Sequence, residues 1–442
     1  MGRTLRANAA CLAMAAVGCL ALAWLGLYGF GWNDYENEAL PAVDALVRGH
    51  FSAFLALAPV YAGSLIVRAP FAMLARWWGG GDLAIYRMLA LPCLLVAGAL
   101  GVWLVARMRA EQRTPLARAV ALGLCVANPV ILPALELGHA EELLSACLVV
   151  AAVLFASGAG GRSRPLLAGA ALGLAVANKQ WALLAAGPVL LAVPPGLRLR
   201  CAAVAGAIAA AVLAPLLLLS GSFVASAKAT AAPHESPIFQ PWQAWWFFGH
   251  HGALVHGLFG APKPGYREAA NWISPLARPL IALCAAAIAA TLWLRRRQLP
   301  EREALLALTV VLLLRCVLDT WDVVYYTLPF LFAMLAWEVR AYAQRPPVLS
   351  LVASVLVWTS FEWLPHHASA DVQAGLFLCW SLALLAWLAK QLAAVAVPPP
   401  ARGAPRAQVA TISSLDRRVR TSLPLGVTTS RSSMRTPSSS GA

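Results

Sequence analysis

The chain is short of charge. Of its 442 residues only 12% are Asp, Glu, Lys or Arg, against 60% hydrophobic, where a soluble domain carries about 25% charged residues. So little charge cannot clothe a globule in polar surface. That excludes an ordinary soluble domain and makes lipid the solvent for much of the chain. Lysine is scarcer still: it occurs only at 179, 228, 263 and 390, and every other basic residue is Arg. Together with abundant Ala, Gly and Pro, this bias points to a GC-rich bacterial gene. The long loops lack cysteine. All nine, at 11, 19, 93, 125, 147, 201, 284, 316 and 379, fall in apolar segments. Neither a disulfide framework nor a zinc site is expected, only small core side chains. A phosphate-cradling Gly-rich loop is missing too, Gly79-Gly80-Gly81 reading as a turn. There is no internal repeat and no soluble catalytic domain.

What charge there is has a pattern. The formal net charge is +15, from 34 basic and 19 acidic residues. The basic residues lie in short clusters between apolar runs, which reads as membrane topology rather than nucleic-acid binding. A first helix is expected at Ala9–Phe30 behind Arg3 and Arg6. It is longer than the roughly 7–15 residues of a signal-peptide core and is read as retained. Further helices are expected at Leu83–Arg107, Ala119–Leu135, Leu143–Ser157, Cys201–Leu219, Pro275–Leu294, Ala304–Val317, Val323–Glu338, Val348–Leu364 and Val372–Val395. The apolar run Pro165–Val193 is interrupted by Asn178-Lys179-Gln180. Reading it as two short helices keeps Arg198, Arg200 and Arg295-Arg296-Arg297 on the cytoplasmic side.

The expectation is therefore an all-α, polytopic integral membrane protein of roughly 12 transmembrane helices, with both termini cytoplasmic. Residues 1–397 form the membrane domain. Within it, 32–82 is a first extracytoplasmic loop, and 220–274 is a large extracytoplasmic loop. The first loop carries an amphipathic helix at Glu38–Val47 and interfacial helices in Phe51–Trp78, although one poor transmembrane helix is the plainer reading of that last stretch. From 398 to 442 the chain is Pro, Ser, Thr and Arg, and reads as a disordered cytoplasmic tail.

This topology collects the unusual groups on the outer face. Ionisable residues at membrane depth are costly, so they pair or bind. Asp34, Glu36 and Glu38 follow the first helix, beside Trp32 and Tyr35. Asp34 is either the cap of a short helix or a general base, since moving a sugar onto a hydroxyl requires a carboxylate to take the hydroxyl proton. Glu136, His139, Glu141 and Glu142 cluster in the next outer turn, as solvated acids or as cavity-facing ligands, with too few fixed ligands to indicate a metal. Lys179 tips the 165–193 hairpin and suits a phosphate partner; Arg68, Arg87 and Arg315 are candidates for the same duty. Arg315 and Asp319 are four apart and also read as an internal ion pair. Tyr325, Tyr326 and Trp245-Trp246-Phe247-Phe248 read as interface aromatics. His250-His251 does not read as a metal site.

Asp34-Tyr35 with Ala39, Ala45, Leu46 and Gly49, Tyr86-Arg87, Asn128-Pro129, Gly138-His139, and Ala168-Gly169 through Leu172-Gly173-Leu174-Ala175 to Lys179 and Pro188 carry a resemblance. The chain resembles the GT-C class of polytopic glycosyltransferases, and within it glycosyltransferase family 87, the polyprenol-phosphate-mannose-dependent mannosyltransferases. The likeness runs to about Trp337. It implies a catalytic Asp in the first extracytoplasmic loop, matching Asp34. It implies a polyprenyl-phosphate sugar donor, an envelope glycolipid or glycan acceptor, and inversion at the anomeric carbon. It implies no cofactor, metal or nucleic-acid partner. This chain departs from the pattern at His139, where several such proteins have Gln or Asn, and in the acidity of Glu141-Glu142. The competing class is a membrane transporter or lipid flippase, which would use the same charges for a permeant; a non-catalytic relative that scaffolds envelope synthesis is a third reading.

Overall fold

The computed structural model describes residues 2–27, 34–158, 163–231, 240–251, 255–256, 262–263, 265–343 and 345–395. The expected basic tail, the start of the first loop with Trp32, and the 220–274 residues His234 and Glu235 lie outside the described residues. Helix dominates. The described strands are two residues each, pairing His250–His251 with Arg267–Glu268 and Val255–His256 with Pro262–Lys263, both antiparallel.

The first helix, α1, is Gly2–Leu25. A π-helical turn, Tyr35–Ala39, leads into α2, Leu40–Val47. Phe51–Trp78 divides into α3, Phe51–Leu57, and α4, Ala62–Trp77, as two pieces rather than one. Pro59 lies in the break, where it cannot supply a helical N–H. Helix α4 buries Arg68 among Ala62, Leu65, Ala69, Ala72 and Ala75, while the apolar Met73, Leu74 and Trp77 are exposed. Helix α5, Asp82–Ala110, opens with Asp82 and closes with Arg107 and Arg109, each charge opposing the helix dipole.

Then come α6, Pro115–Val126, α7, Ile131–Glu136, and α8, Ala140–Ala156. Next are α9, Pro165–Asn178, a 3₁₀ turn Gln180–Ala185, and α10, Ala186–Ala192. Helix α11 is Arg198–Leu219, and α12, Gly221–Ala231, puts a helix where a polar loop was expected. The last five are α13, Ile273–Arg295, α14, Glu301–Leu318, α15, Leu328–Ala341, α16, Val348–Trp358, and α17, Ala370–Val395.

Six of the described stretches are long and apolar enough to cross a membrane: Asp82–Ala110, Pro115–Glu136, Pro195–Leu219, Ile273–Arg295, Val348–His366 and Ala370–Ala394. The protein is a multi-pass membrane protein on that ground. Length and composition carry six of the roughly 12 expected crossings. The apolar helices Asn8–Trp24, Pro165–Asn178 and Gln180–Ala192 are shorter.

The helices share two ends. At one, Glu301 at the start of α14 meets Arg340 of α15, Arg107 of α5 at 4.0 Å and Ser157 after α8 at 3.3 Å. Arg340 also binds Glu111, and Arg113 binds Glu111 at 2.6 Å and the Tyr342 carbonyl. Arg109 reaches Asn8 of α1 at 2.7 Å. The opposite end gathers residues 34–39, 137–142, 178–181 and 315–326.

The break at Lys179 reverses the chain. Gly169 of α9 faces the Cys201 carbonyl and Gly173 faces the Ala205 carbonyl, so α9 and α11 run in the same direction. The segment between them must return. Leu191 and Ala192 at the end of α10 accept hydrogen bonds from Leu299 and Gln298, beside the Glu301 end. The two-helix reading of 165–193 matches this geometry. The close approach needs glycine: a Cβ at Gly173 would stand 2.5 Å from the Ala205 oxygen. Gly173→Val should therefore destabilise the fold by roughly 1–3 kcal/mol through overpacking, read as a lower melting temperature in detergent. Gly206→Val, where a Cβ meets nothing within 4 Å, should leave it unchanged.

Candidate functional site

The site begins where two turns touch. The Asp34 N–H donates to the Leu137 carbonyl at 3.1 Å. Gly138 has φ +94°, and a Cβ there would lie 2.5 Å from the Tyr35 nitrogen. Only glycine combines that backbone with that approach. Tyr35 packs on Tyr86, ring centroids 4.4 Å apart, and the Tyr86 hydroxyl donates to the Leu135 carbonyl. The first loop is thus seated on the turn between α7 and α8.

Asp34 makes no capping bond to the turn it precedes. Its Oδ2 faces His139 Nε2 at 3.0 Å and accepts from the Tyr325 hydroxyl at 3.4 Å. No described residue bonds Oδ1, and the side chain is 25% exposed. His139 Nδ1 lies 2.7 Å from Glu141 Oε1. Glu141 is fully buried. It pairs with Arg68 of α4 at 3.2 Å and with Lys179 at 3.1 Å, and Lys179 also pairs with Glu142 at 3.4 Å. Burial pushes the Lys179 ammonium down, but Glu141 and Glu142 outweigh it and hold the pKa above the ordinary lysine value.

The backbone break that delivers Lys179 is itself anchored. Lys179 is extended, φ −148° and ψ 125°. Asn178 before it donates to the Glu141 carbonyl and to Ser145, both at 2.7 Å, and accepts from Ser64 at 2.5 Å. Every polar atom of that buried amide is used, as a dry interior demands.

Arg315 adjoins this cluster through aromatics. Its guanidinium lies 5.1 Å over the Trp181 ring and 4.1 Å over the Tyr326 ring, and it donates to the Tyr326 carbonyl at 3.3 Å. The Trp181 indole N–H donates to Glu142 at 2.7 Å. Asp319 pairs with Arg278 of α13 at 3.6 Å rather than with Arg315. The expected i,i+4 pair gives way to a partner from another helix.

Of the candidates, Asp34, His139, Arg68 and Lys179 are brought into one network, with Arg315 at its edge. Arg87 is not: it donates to the Leu27 carbonyl at the end of α1. Glu136 is exposed. Glu36 is exposed beside Asp34. Tyr325, expected at the membrane interface, is buried and touches Asp34. Trp246, read as an anchor, is fully buried and donates to Asp371 at 2.8 Å. The polar triplet at 178–180 signalled the break but not the role of Asn178. Among the described residues no group of His, Cys, Asp and Glu is arranged to hold a metal ion.

Removing the central carboxylate leaves Arg68 buried without its pair. Glu141→Ala should cost about 3–5 kcal/mol, measured by unfolding in detergent. Glu136→Ala, at the surface, should stay within about 0.5 kcal/mol of wild type.

No curated protein matches the chain. Residues 63–320, more than half of it, match glycosyltransferase family 87. That span includes Arg68, His139, Glu141, Lys179 and Arg315, but not Asp34. By that match the chain belongs to glycosyltransferase family 87.

Proposed function

We propose that the protein transfers a sugar, a mannosyl or other hexosyl unit, from a polyprenyl-phosphate donor to an envelope glycolipid or glycan acceptor on the extracytoplasmic face of the cytoplasmic membrane. The observation that carries this reading is the Asp34 carboxylate. One oxygen is fixed by His139 and Tyr325, and no described residue bonds the other. Acceptor hydroxyl is the natural partner of that free oxygen. Asp34 is the general base of a single displacement, which inverts the anomeric carbon. Lys179 and Arg315 face the leaving phosphate, whose growing charge is stabilised by cations already fixed in a low-dielectric cleft. Arg68 serves at one remove, by balancing Glu141. Arg87 and Glu136 have no part in this reading, and Glu36 stands at the acceptor's entrance.

The sidedness follows from charge. Arg107, Arg109, Arg113, Arg164, Arg198, Arg297 and Arg340 belong to the end opposite the site, and arginine-rich ends stay in the cytoplasm. On this reading the chain traverses the membrane 12 times, its shorter helices stopping at the site. Residues 398–442 form a cytoplasmic tail.

Two experiments test the proposal. Purified protein in lipid, given radiolabelled polyprenyl-phosphate sugar and acceptor extract, should transfer sugar. Asp34→Asn should lower the rate by about 10²–10⁴-fold, and transfer unaffected by the change removes Asp34 as base. In the same assay Arg315→Met should raise KM for the donor by roughly tenfold, the loss of a charge-assisted contact, with KM for the acceptor unmoved. For topology, a cysteine at Glu36 should react with an impermeant maleimide in intact cells, and one at Arg297 only after permeabilisation. The reverse pattern inverts the assignment.

A further inference from the structure

His139 is enclosed, and both ring nitrogens face carboxylate oxygens. Nδ1 lies 2.7 Å from Glu141 and Nε2 lies 3.0 Å from Asp34. An ionised carboxylate only accepts hydrogen bonds. Glu141 is committed to the ionised form by Arg68 at one oxygen and Lys179 at the other, so Nδ1 must donate. A neutral imidazole then has no second proton, and its Nε2 lone pair would point at the lone pairs of Asp34. Two states satisfy both contacts: an imidazolium beside an Asp34 carboxylate, or a neutral ring beside a protonated Asp34. Only the first contains a base.

We propose that His139 is a positioning residue that acts as an imidazolium, donating to Glu141 from Nδ1 and to Asp34 Oδ2 from Nε2, so that Asp34 stands as a carboxylate with Oδ1 open to the acceptor. The proposal rests on the reading of Asp34 as base. In the transfer step the acceptor O–H bond breaks and its proton passes to Asp34 Oδ1. The hydroxyl oxygen forms the bond to the anomeric carbon, and the electron pair of the breaking sugar–phosphate bond leaves on the phosphate. His139 keeps both of its protons throughout.

The groups around the ring come from every element packed on it. Asp34 and Glu38 approach from the first loop, Tyr61 from the turn before α4 at a centroid distance of 5.4 Å, and Tyr325 from the turn before α15 at 4.1 Å. Lys179 and Glu141 supply the nearest buried charges. Burial and Lys179 push the imidazolium pKa down; Glu141 and Asp34 push it up and prevail, leaving it above the ordinary histidine value. The sign follows. The imidazolium's contribution is complete below the ordinary histidine range and is lost as pH rises through the raised value. Alkali therefore removes the donor that holds Asp34 Oδ2 in place and leaves two lone pairs facing each other.

The test uses the full chain in lipid with radiolabelled polyprenyl-phosphate sugar and acceptor extract. Wild-type transfer should fall about tenfold per pH unit on the alkaline side. His139→Gln keeps a neutral N–H donor but cannot titrate. It should be slower on the order of tenfold, the difference between a charge-assisted and a neutral hydrogen bond, and its alkaline fall should vanish. Glu141→Gln should move the fall to lower pH, and the wild-type profile with its histidine NMR carries the test should the variants not fold. An unchanged alkaline fall in His139→Gln, or none in wild type, overturns the proposal. A second readout needs no activity: ¹⁵N-histidine NMR of wild type against His139→Gln should show an imidazolium persisting above the ordinary range, and Asp34→Asn should lower its midpoint. If no preparation transfers sugar, the reading of Asp34 fails, while a neutral ring at neutral pH by NMR separately overturns the role of His139.

Discussion

One buried carboxylate holds the candidate-site end together. Glu141 is touched by Arg68 from α4, His139 from the turn before its own helix, and Lys179 from the break between α9 and the following turn. None of these groups can be left alone in a dry interior, since an unpaired buried charge costs several kcal/mol. Each therefore depends on the arrival of the others. The first loop, the α4 segment and the broken helix are fastened at one point because their charges have nowhere else to go. Asn178 secures the same point without charge, bonding the Glu141 carbonyl while its neighbour Lys179 bonds the side chain.

Much of this was written locally in the sequence. Apolar runs and arginine clusters marked most of the helices and the arginine-rich end, because both follow from lipid as solvent. The interruption at 178–180 marked a reversal because a lysine cannot stay at mid-membrane unpaired. Lys179 stood out by rarity, and Asp34 and His139 by their place in outer turns of a charge-poor chain. What could not be read was direction and distance. Tyr325 meets Asp34 across 291 residues, and nothing near Tyr325 in sequence distinguishes it from a ring at the lipid interface. Arg87 sits one helical turn into α5 like a ligand for an anion, yet the Leu27 carbonyl just past α1 claims it. The Arg315–Asp319 spacing suggested a pair on one helix. Arg278 from another helix competes for Asp319, and only the packed structure decides such a contest.

The span that matches the family begins at residue 63 and so omits the loop that holds Asp34. The geometry joins the two. Asp34 is pinned by its own N–H to Leu137 and by its side chain to His139, both inside the matched span. Position 139 also carries the chain's departure from the resemblance, an ionisable ring in place of a neutral amide. Its partner Glu141 is what makes that departure tolerable in the interior, so the two unusual residues are one feature and not two.

The ion pairs around Glu301 bear on where so crowded a bundle could open. They tie α5, α14 and α15 at the arginine-rich end, with Arg113 adding the segment beyond α15. Helices α5, α14 and α15 are riveted to one another at that end. Any sideways gap between these three helices would then open toward the end that holds Lys179 and Arg315, and taper to nothing toward the rivet.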